Sequence, residues 1–335
     1  MAAPLVLIEG FDSGTASTCL TEWAYSSVVQ FPAGRNSGMS LYVPGVSLGS
    51  VGGDIARRSF TSADNVISLG VAIKIQDPQS GAYPFFGVID TGGSHLLDIA
   101  GGATAWYVYY YTGGTTQFST QFNVTPATNT WGYLELKFTY GSSGYIEARW
   151  NGVSVLSRTG ANNRTNASTG VIGGLSFGYT GSSSYCPSYF DDLWVESGTG
   201  SDFRGDRRVI TLLPTSDVNA GWDSSTGANH WGEVDDVTYS TYVHTPVGTG
   251  AVDTYGFGDM PAGTFNIDAV SVKAVANTDY APANIALHRG GAAGTAKQVT
   301  TSARLVSQVF ASDASSVPWT TATVNSSSFG IVAAP

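Results

Sequence analysis

The chain is short of charge, of cysteine and of helical patterning, and each shortage narrows what it can be. Only 12% of its 335 residues are charged, about half the usual share. The net charge is −10. A protein that neutralises phosphates needs the opposite balance, so no nucleic-acid partner is expected. The short basic clusters, Arg57-Arg58 and Arg204 with Arg207-Arg208, read as solvated turns or ion-pair partners. Cys19 and Cys186 are the only cysteines. Two thiols make no disulfide framework, and the sequence leaves their pairing open. No apolar run approaches the roughly 20 residues of a membrane helix, so no membrane partner is expected. The opening MAAPLVLIEGFDSG lacks a basic n-region and runs into Glu9 after a short apolar stretch, so no signal peptide is expected. His95, His230, His244 and His288 have no metal-ligand spacing.

Glycine, serine, threonine and aromatics fill the deficit. Eight Trp, 17 Tyr and 15 Phe supply a core despite the polar remainder. That composition, with period-2 segments throughout, predicts an all-β protein. At 335 residues the chain is too long for one ordinary sandwich and comfortable for two. The densest signal runs from Trp131 to Glu196. Leu134, Leu136, Phe138 and Tyr140 alternate with Tyr133, Glu135, Lys137 and Thr139. After a turn, Ile146, Ala148 and Trp150 alternate with Tyr145, Glu147 and Arg149. Asn151-Gly152 is the signature of a type I′ turn, in which both residues need positive φ. This predicts a meander with one apolar face and one face of mixed charge, where Glu135, Lys137, Glu147 and Arg149 pair across strands. Val66 to Ile75 alternates in the same way. Further strands are expected near 85–90, 95–100, 105–111, 117–122, 171–179 and 189–196. The Gly/Ser/Thr-rich stretch 197–206 reads as a linker between a first domain, 1–196, and a second, 207–335. In the second, strands are expected near 267–276, 283–289, 303–310 and 319–332, with long loops over 215–262.

Little of this looks catalytic. Glycosidases need two carboxylates facing one groove, and here Glu135 precedes Lys137 and Glu147 precedes Arg149. Gly174-Leu175-Ser176-Phe177-Gly178 matches a nucleophile-elbow pattern, but it lies in a β region with no following helix. Asp191-Asp192 and Glu233-Val234-Asp235-Asp236 offer oxygens to calcium; the same residues also serve as turn caps. In Trp106-Tyr107-Val108-Tyr109-Tyr110-Tyr111, alternation assigns Trp106, Val108 and Tyr110 to the core. Tyr107, Tyr109 and Tyr111 then stand on the other face, for packing, protein contact or sugar stacking. Trp222 and Trp231 carry the same alternatives.

The opening Ile8-Glu9-Gly10-Phe11-Asp12, the Trp131 strand, the meander with its Asn151-Gly152 turn, and the closing Tyr189-Phe190-Asp191-Asp192-Leu193-Trp194-Val195 resemble the laminin-G-like or concanavalin A-like sandwich family over residues 5–196. The later GDRRVITLLPTSD, WGEVDDVTYSTYV and WTTATVNSSSFGIV resemble the second domain that follows such sandwiches in virion proteins of tailed bacteriophages. The resemblance implies a concanavalin A-like jelly roll followed by a smaller, loop-rich β-sandwich. It also implies a non-enzymatic virion protein, on the capsid as a head decoration or in a tail appendage or fibre. Such a protein is assembled in the host cytoplasm and touches copies of itself, a trimer being the expectation, and neighbouring capsid or tail proteins. A carbohydrate-binding tail receptor for host-surface glycan is the alternative, and a glycoside hydrolase a disfavoured third. No cofactor beyond possible calcium is expected.

Overall fold

The structure, a computed structural model, describes residues 4–12, 23–25, 29–36, 38–44, 54–60, 62, 65–76, 81, 83–112, 116–161, 163, 170–179, 186–235, 241–246 and 248–335. The chain divides into two units, the first ending at Val209 and the second running over Ile210–Pro335.

The described strands of the first unit are β1 (Leu5–Glu9), β2 (Trp23–Tyr25), β3 (Leu41–Val43), β4 (Asp54–Ser59), β5 (Val66–Ile75), β6 (Tyr83–Asp90), β7 (His95–Gly101), β8 (Trp106–Thr112), β9 (Thr116–Gln121), β10 (Gly132–Thr139), β11 (Gly144–Trp150), β12 (Val153–Ala161), β13 (Ile172–Tyr179) and β14 (Ser188–Ser197). They form two antiparallel sheets. One has the order β1-β14-β5-β10-β11-β12, with β3 also pairing β14; the other is β2-β4-β13-β6-β7-β8-β9. The inner faces hold the alternating residues that the periodicity assigned to them: Ile67, Leu69, Val71 and Ile73 of β5, Leu134, Leu136 and Phe138 of β10, and Trp106, Val108 and Tyr110 of β8 are all buried. Phe86, Phe177 and Phe190 meet edge to face or tilted at the centre. Asn151 and Gly152 have φ of 49° and 79°, as the type I′ turn requires. In the neighbouring β10–β11 pair, Glu135 faces Arg149 and Lys137 faces Glu147.

The mixed-charge face is not left to solvent. Residues 198–209 lie over it as a strap. The Gly205 N–H donates to Glu135 Oε1 (2.7 Å), that of Asp202 to Glu196 Oε2 (3.1 Å) and that of Val209 to Asp192 Oδ1 (2.8 Å). Arg204 pairs with Glu196 at 2.7 Å, Lys137 with Asp202 at 3.5 Å, and the Arg149 guanidinium sits 3.8 Å from the Phe203 ring centroid. The three accepting carboxylates are buried, and burial raises the Glu135 carboxyl above its ordinary range in spite of these donors. The stretch that composition marks as a linker is therefore part of the first unit's packing. Its glycines serve tight turns, with φ of 117°, 101° and 75° at Gly198, Gly200 and Gly205.

The second unit contains β15 (Pro214–Ala220), β16 (Asp223–Ser224), α1 (Trp231–Val234), β17 (Val243–His244), β18 (Val252–Phe257), β19 (Val270–Ala276), β20 (Ala283–Arg289), β21 (Ala292–Ala293), β22 (Lys297–Val299), β23 (Arg304–Phe310), α2 (Thr321–Ser326) and β24 (Phe329–Ala334). Its main sheet runs β15-β18-β24-β20-β21, with β22 also on β20, and β19-β23 forms a second layer. Val272, Val306 and Phe310 of that layer pack on Ile285, Leu287, Phe329 and Ile331 of the main sheet, with Trp319 and Val324 closing the core. Two features differ from the sequence expectation. The strand expected over 319–332 begins as helix α2, because the Thr320 hydroxyl and Thr323 form a reciprocal capping box. The expected loop region 215–262 contains β15 and β18; β15 is exposed along nearly all its length, so it shows no alternation to read.

Candidate functional site

The outer face of the first unit's second sheet gathers polar and aromatic side chains from across the sequence. Register places Arg57 (β4) opposite Ser176 (β13), Ser176 opposite Gly87 (β6), Gly87 opposite Asp98 (β7), Asp98 opposite Tyr109 (β8) and Tyr109 opposite Ser119 (β9). These residues form one row because strand neighbours on one face alternate with core residues: Leu175, Phe177, Val88, Leu97, Ile99 and Val108 point the other way and are buried. The next row brings Ala100, Tyr107 and Gln121 together.

The centre of the row is sunken. Asp98 is 3% exposed and Ser176 2%. A Cβ on residue 87 would lie 2.5 Å from Asp98 Oδ1 and 2.6 Å from Ser176 Oγ, so only glycine lets the two side chains converge there. His95 Nδ1 is 2.5 Å from Asp98 Oδ1, which fixes the orientation of the imidazole. Arg57 is half-buried, its Nη1 set against Gly93 in the β6–β7 turn. At the other end, Tyr107 and Tyr109 are half-buried, with ring centroids 6.1 Å apart and planes within 23°. Partial burial, with Tyr107 alongside, raises the Tyr109 hydroxyl pKa. The site thus offers aromatic rings at one end, a guanidinium at the other, and an imidazole–carboxylate pair and a hydroxyl between. Rings of this kind stack on apolar faces, and the polar groups exchange hydrogen bonds with hydroxyls.

Of the sequence-derived candidates, Tyr107 and Tyr109 share this face. Tyr111 lies in β8, opposite Gln117; its side chain lies outside the described residues. Trp222 is elsewhere, packed against the second unit's core with its indole N–H donated to the Ala251 carbonyl at 3.0 Å. Trp231 is half-buried in α1, its backbone N–H donated to Asp217 at 2.7 Å. Arg57 and Arg58, read as a solvated turn or ion-pair partners, are strand residues of β4, with Arg58 buried. Sequence reasoning passed over Arg57, His95, Asp98 and Ser176 as a group. Only Ser176 carried a signal, through the G-x-S-x-G match, and it sits mid-strand as the β-only context implied.

The acidic candidates spend their oxygens on the protein. Asp191 accepts the N–H groups of Arg35 (2.7 Å) and Asp192 (2.8 Å). Asp192 accepts from Val209 (2.8 Å) and from the Asn36 side chain (3.0 Å). Burial, with the Asp192 charge adding to it, pushes the Asp191 carboxyl up to about 7. In the second unit, burial works against ionisation of Glu233, but donors from Thr226, Ser224 and Ser225 outweigh it and hold the carboxyl down at about 2. Asp235 is half-buried just beyond α1, and Asp236 lies outside the described residues. Among the described residues no group of three His, Cys, Asp or Glu side chains is arranged to hold a metal ion.

No protein-family model and no curated protein matches the chain. Among solved structures it is similar to an endo-β-1,4-glucuronan lyase from the fungus Trichoderma reesei, at 13% identity and TM-score 0.43, covering 54% of this chain and 94% of that one. It is similar to a cellulose-induced protein at 19% identity and TM-score 0.43, covering 57% and 97%. A marine alginate lyase from Aplysia kurodai matches at 14% identity and TM-score 0.42, covering 59% and 100%. Values this low carry neither a ligand nor an activity to this chain.

Proposed function

We propose that this chain is a non-enzymatic binding protein of a tailed-bacteriophage particle, and that its first unit binds carbohydrate on the outer face of the β2-β4-β13-β6-β7-β8-β9 sheet. The observation that carries the binding reading is the pairing of two near-parallel tyrosines with a sunken His95–Asp98–Ser176 cluster on one face. Sugars need both parts: aromatic rings for their C–H faces and fixed polar groups for their hydroxyls. The row holds one carboxylate, Asp98, already engaged by His95, whereas hydrolysis of a glycoside uses two. No turnover of β-glucans, galactans or simple esters is expected. The particle setting rests on the resemblance of GDRRVITLLPTSD, WGEVDDVTYSTYV and WTTATVNSSSFGIV to the second domain that follows concanavalin A-like sandwiches in virion proteins of tailed bacteriophages.

The test is a glycan array followed by titration calorimetry with Tyr107→Ala and Tyr109→Ala. Each substitution is expected to weaken binding about tenfold, the equivalent of roughly 1.4 kcal/mol. Unchanged binding in both variants would move the site off this face. The particle setting is checked by mass spectrometry of purified virions; absence of the chain from them would refute it.

A second reading, contact with copies of itself or with neighbouring particle subunits, is favoured by the second unit. Tyr280 is 94% exposed, Val218 61% and Tyr242 56%. Tyrosine and aliphatic side chains left this bare suit an interface. A small cyclic oligomer, a trimer, is the proposed state, and light scattering on the purified chain tests it.

A further inference from the structure

We infer that the occupant of the outer face is an extended, uncharged polysaccharide lying across the strands, and not a single terminal sugar; this rests on the carbohydrate reading above. The row from Arg57 through Ser176, Gly87, Asp98 and Tyr109 to Ser119 crosses β4, β13, β6, β7, β8 and β9 in register. Adjacent strands lie about 4.8 Å apart, so the row is about 24 Å long. A pyranose ring in an extended chain advances by roughly one strand spacing, which gives the row room for about five rings. A terminal-sugar site would concentrate its donors and acceptors around one ring. Here the aromatic pair stands on β8, the imidazole–carboxylate pair on β7, and the guanidinium three strands beyond, on β4. Gly87 keeps the middle low, so that a chain crosses without meeting a side chain at that position.

The charge of the ligand follows from the charges already placed. Arg57 is set against the Gly93 turn, the His95 imidazole is held by Asp98, and Asp98 contributes a carboxylate to the centre of the row. The chain as a whole carries −10. The guanidinium and the carboxylate of the row balance, so it has no surplus positive charge to hold a polyuronate or sulfated chain, and the net charge of the chain opposes the approach of one. A neutral chain of hydroxyls meets donors and acceptors in alternation.

The experiment is calorimetry on the full chain with three ladders, cello-oligosaccharides, manno-oligosaccharides and oligouronates, each from the monosaccharide to about eight units, longer than the row. At least one neutral ladder is expected to gain at least about tenfold in affinity between two and five units, then to level off. Tyr109→Ala is expected to weaken every length. Ser176→Ala and Arg57→Gln are expected to weaken only the longer oligomers, with melting temperatures recorded to separate lost contact from lost fold. Affinity independent of length but sensitive to Tyr109→Ala would overturn the extended occupant and leave the site standing. Preference for the oligouronate ladder would overturn its neutrality. Binding that ignores both tyrosines, or no binding by any ladder, would overturn the site itself.

Discussion

The two units solve the same problem, keeping a low-charge β chain folded, in different ways. The first buries long in-register strands on both sides of a central aromatic cluster and then covers its outer charged face with the 198–209 strap. The second has shorter strands and a smaller core built around Trp319 and Phe329. It holds its loops with individual carboxylates. Glu233 collects the N–H groups of Ser225 and Thr226 and the hydroxyls of Ser224 and Thr226. Asp253, fully buried, accepts from His230 at 3.0 Å and from the Tyr255 hydroxyl at 2.5 Å. Asp217 ties α1 to β15 through Trp231. The difference teaches where each unit is vulnerable. The first depends on area buried and on its strap. The second depends on the hydrogen bonds that a few acids accept.

The largest expected effect breaks the first unit at its strap. A chain ending at Glu196 loses the strap's hydrogen bonds to Glu135, Glu196 and Asp192, at about 1.5–3 kcal/mol for each bond to a charged group. It is expected not to fold cooperatively, whereas a chain ending at Val209 keeps a single sharp thermal transition by circular dichroism. Equal melting of the two would remove the strap from the account. Limited proteolysis of the whole chain should correspondingly spare 198–209.

Next in size are single core deletions, which test whether the units are energetically separate. Trp150 packs edge-on to Trp106 with centroids 5.1 Å apart, and Trp319 sits in the second core with its indole N–H on the Phe310 carbonyl at 2.8 Å. Trp106→Ala and Trp319→Ala each delete a buried indole and should each cost roughly 3–5 kcal/mol, in the first and the second unit respectively. Calorimetry in which either variant shifts both transitions equally would erase the distinction.

Acidity should act on the two units with opposite sign. Glu233 is held at about 2, below the ordinary 4.5. Its contribution is present above pH 4.5 and is lost as pH falls from there toward 2. Asp191 is raised to about 7 from 3.8. Its contribution is present below pH 3.8 and is lost as pH rises from there through 7. Glu233→Gln should flatten the acid slope of the second unit, and Asp191→Asn the neutral slope of the first. Identical pH profiles for variants and parent would show that other groups carry the dependence. The smallest effect is expected at the bare surface of the second unit. Tyr280→Ser should change stability by no more than about 0.5 kcal/mol, and a larger loss in dilute solution would mean that Tyr280 is already covered by another copy.

Much of the first unit was legible because its residues alternate over long spans. β5 coincides with the expected 66–75 run, and the Asn151-Gly152 turn closes the β11–β12 hairpin. The second unit was less legible where packing does not impose a period, as in β15, and where a local cap competes with a strand, as at Thr320. The candidate site was half visible. Alternation separated Tyr107 and Tyr109 from the core, but it could not join them to Arg57, Asp98 or Ser176.

By itself, the sequence determined the all-β class, the two-unit scale, the inner faces of the long strands and the outward side of the tyrosines. Each of these follows from composition or from the two-residue repeat of a strand, which needs no knowledge of distant neighbours. Only the tertiary structure decided that 198–209 is a strap and not a tether, that Glu135 and Glu196 are buried, and that Asp98 and Ser176 meet over Gly87. Those depend on which strand lies beside which and on what chain returns across a sheet. Strand order and return path are set by long-range packing, which leaves no period in the sequence to read.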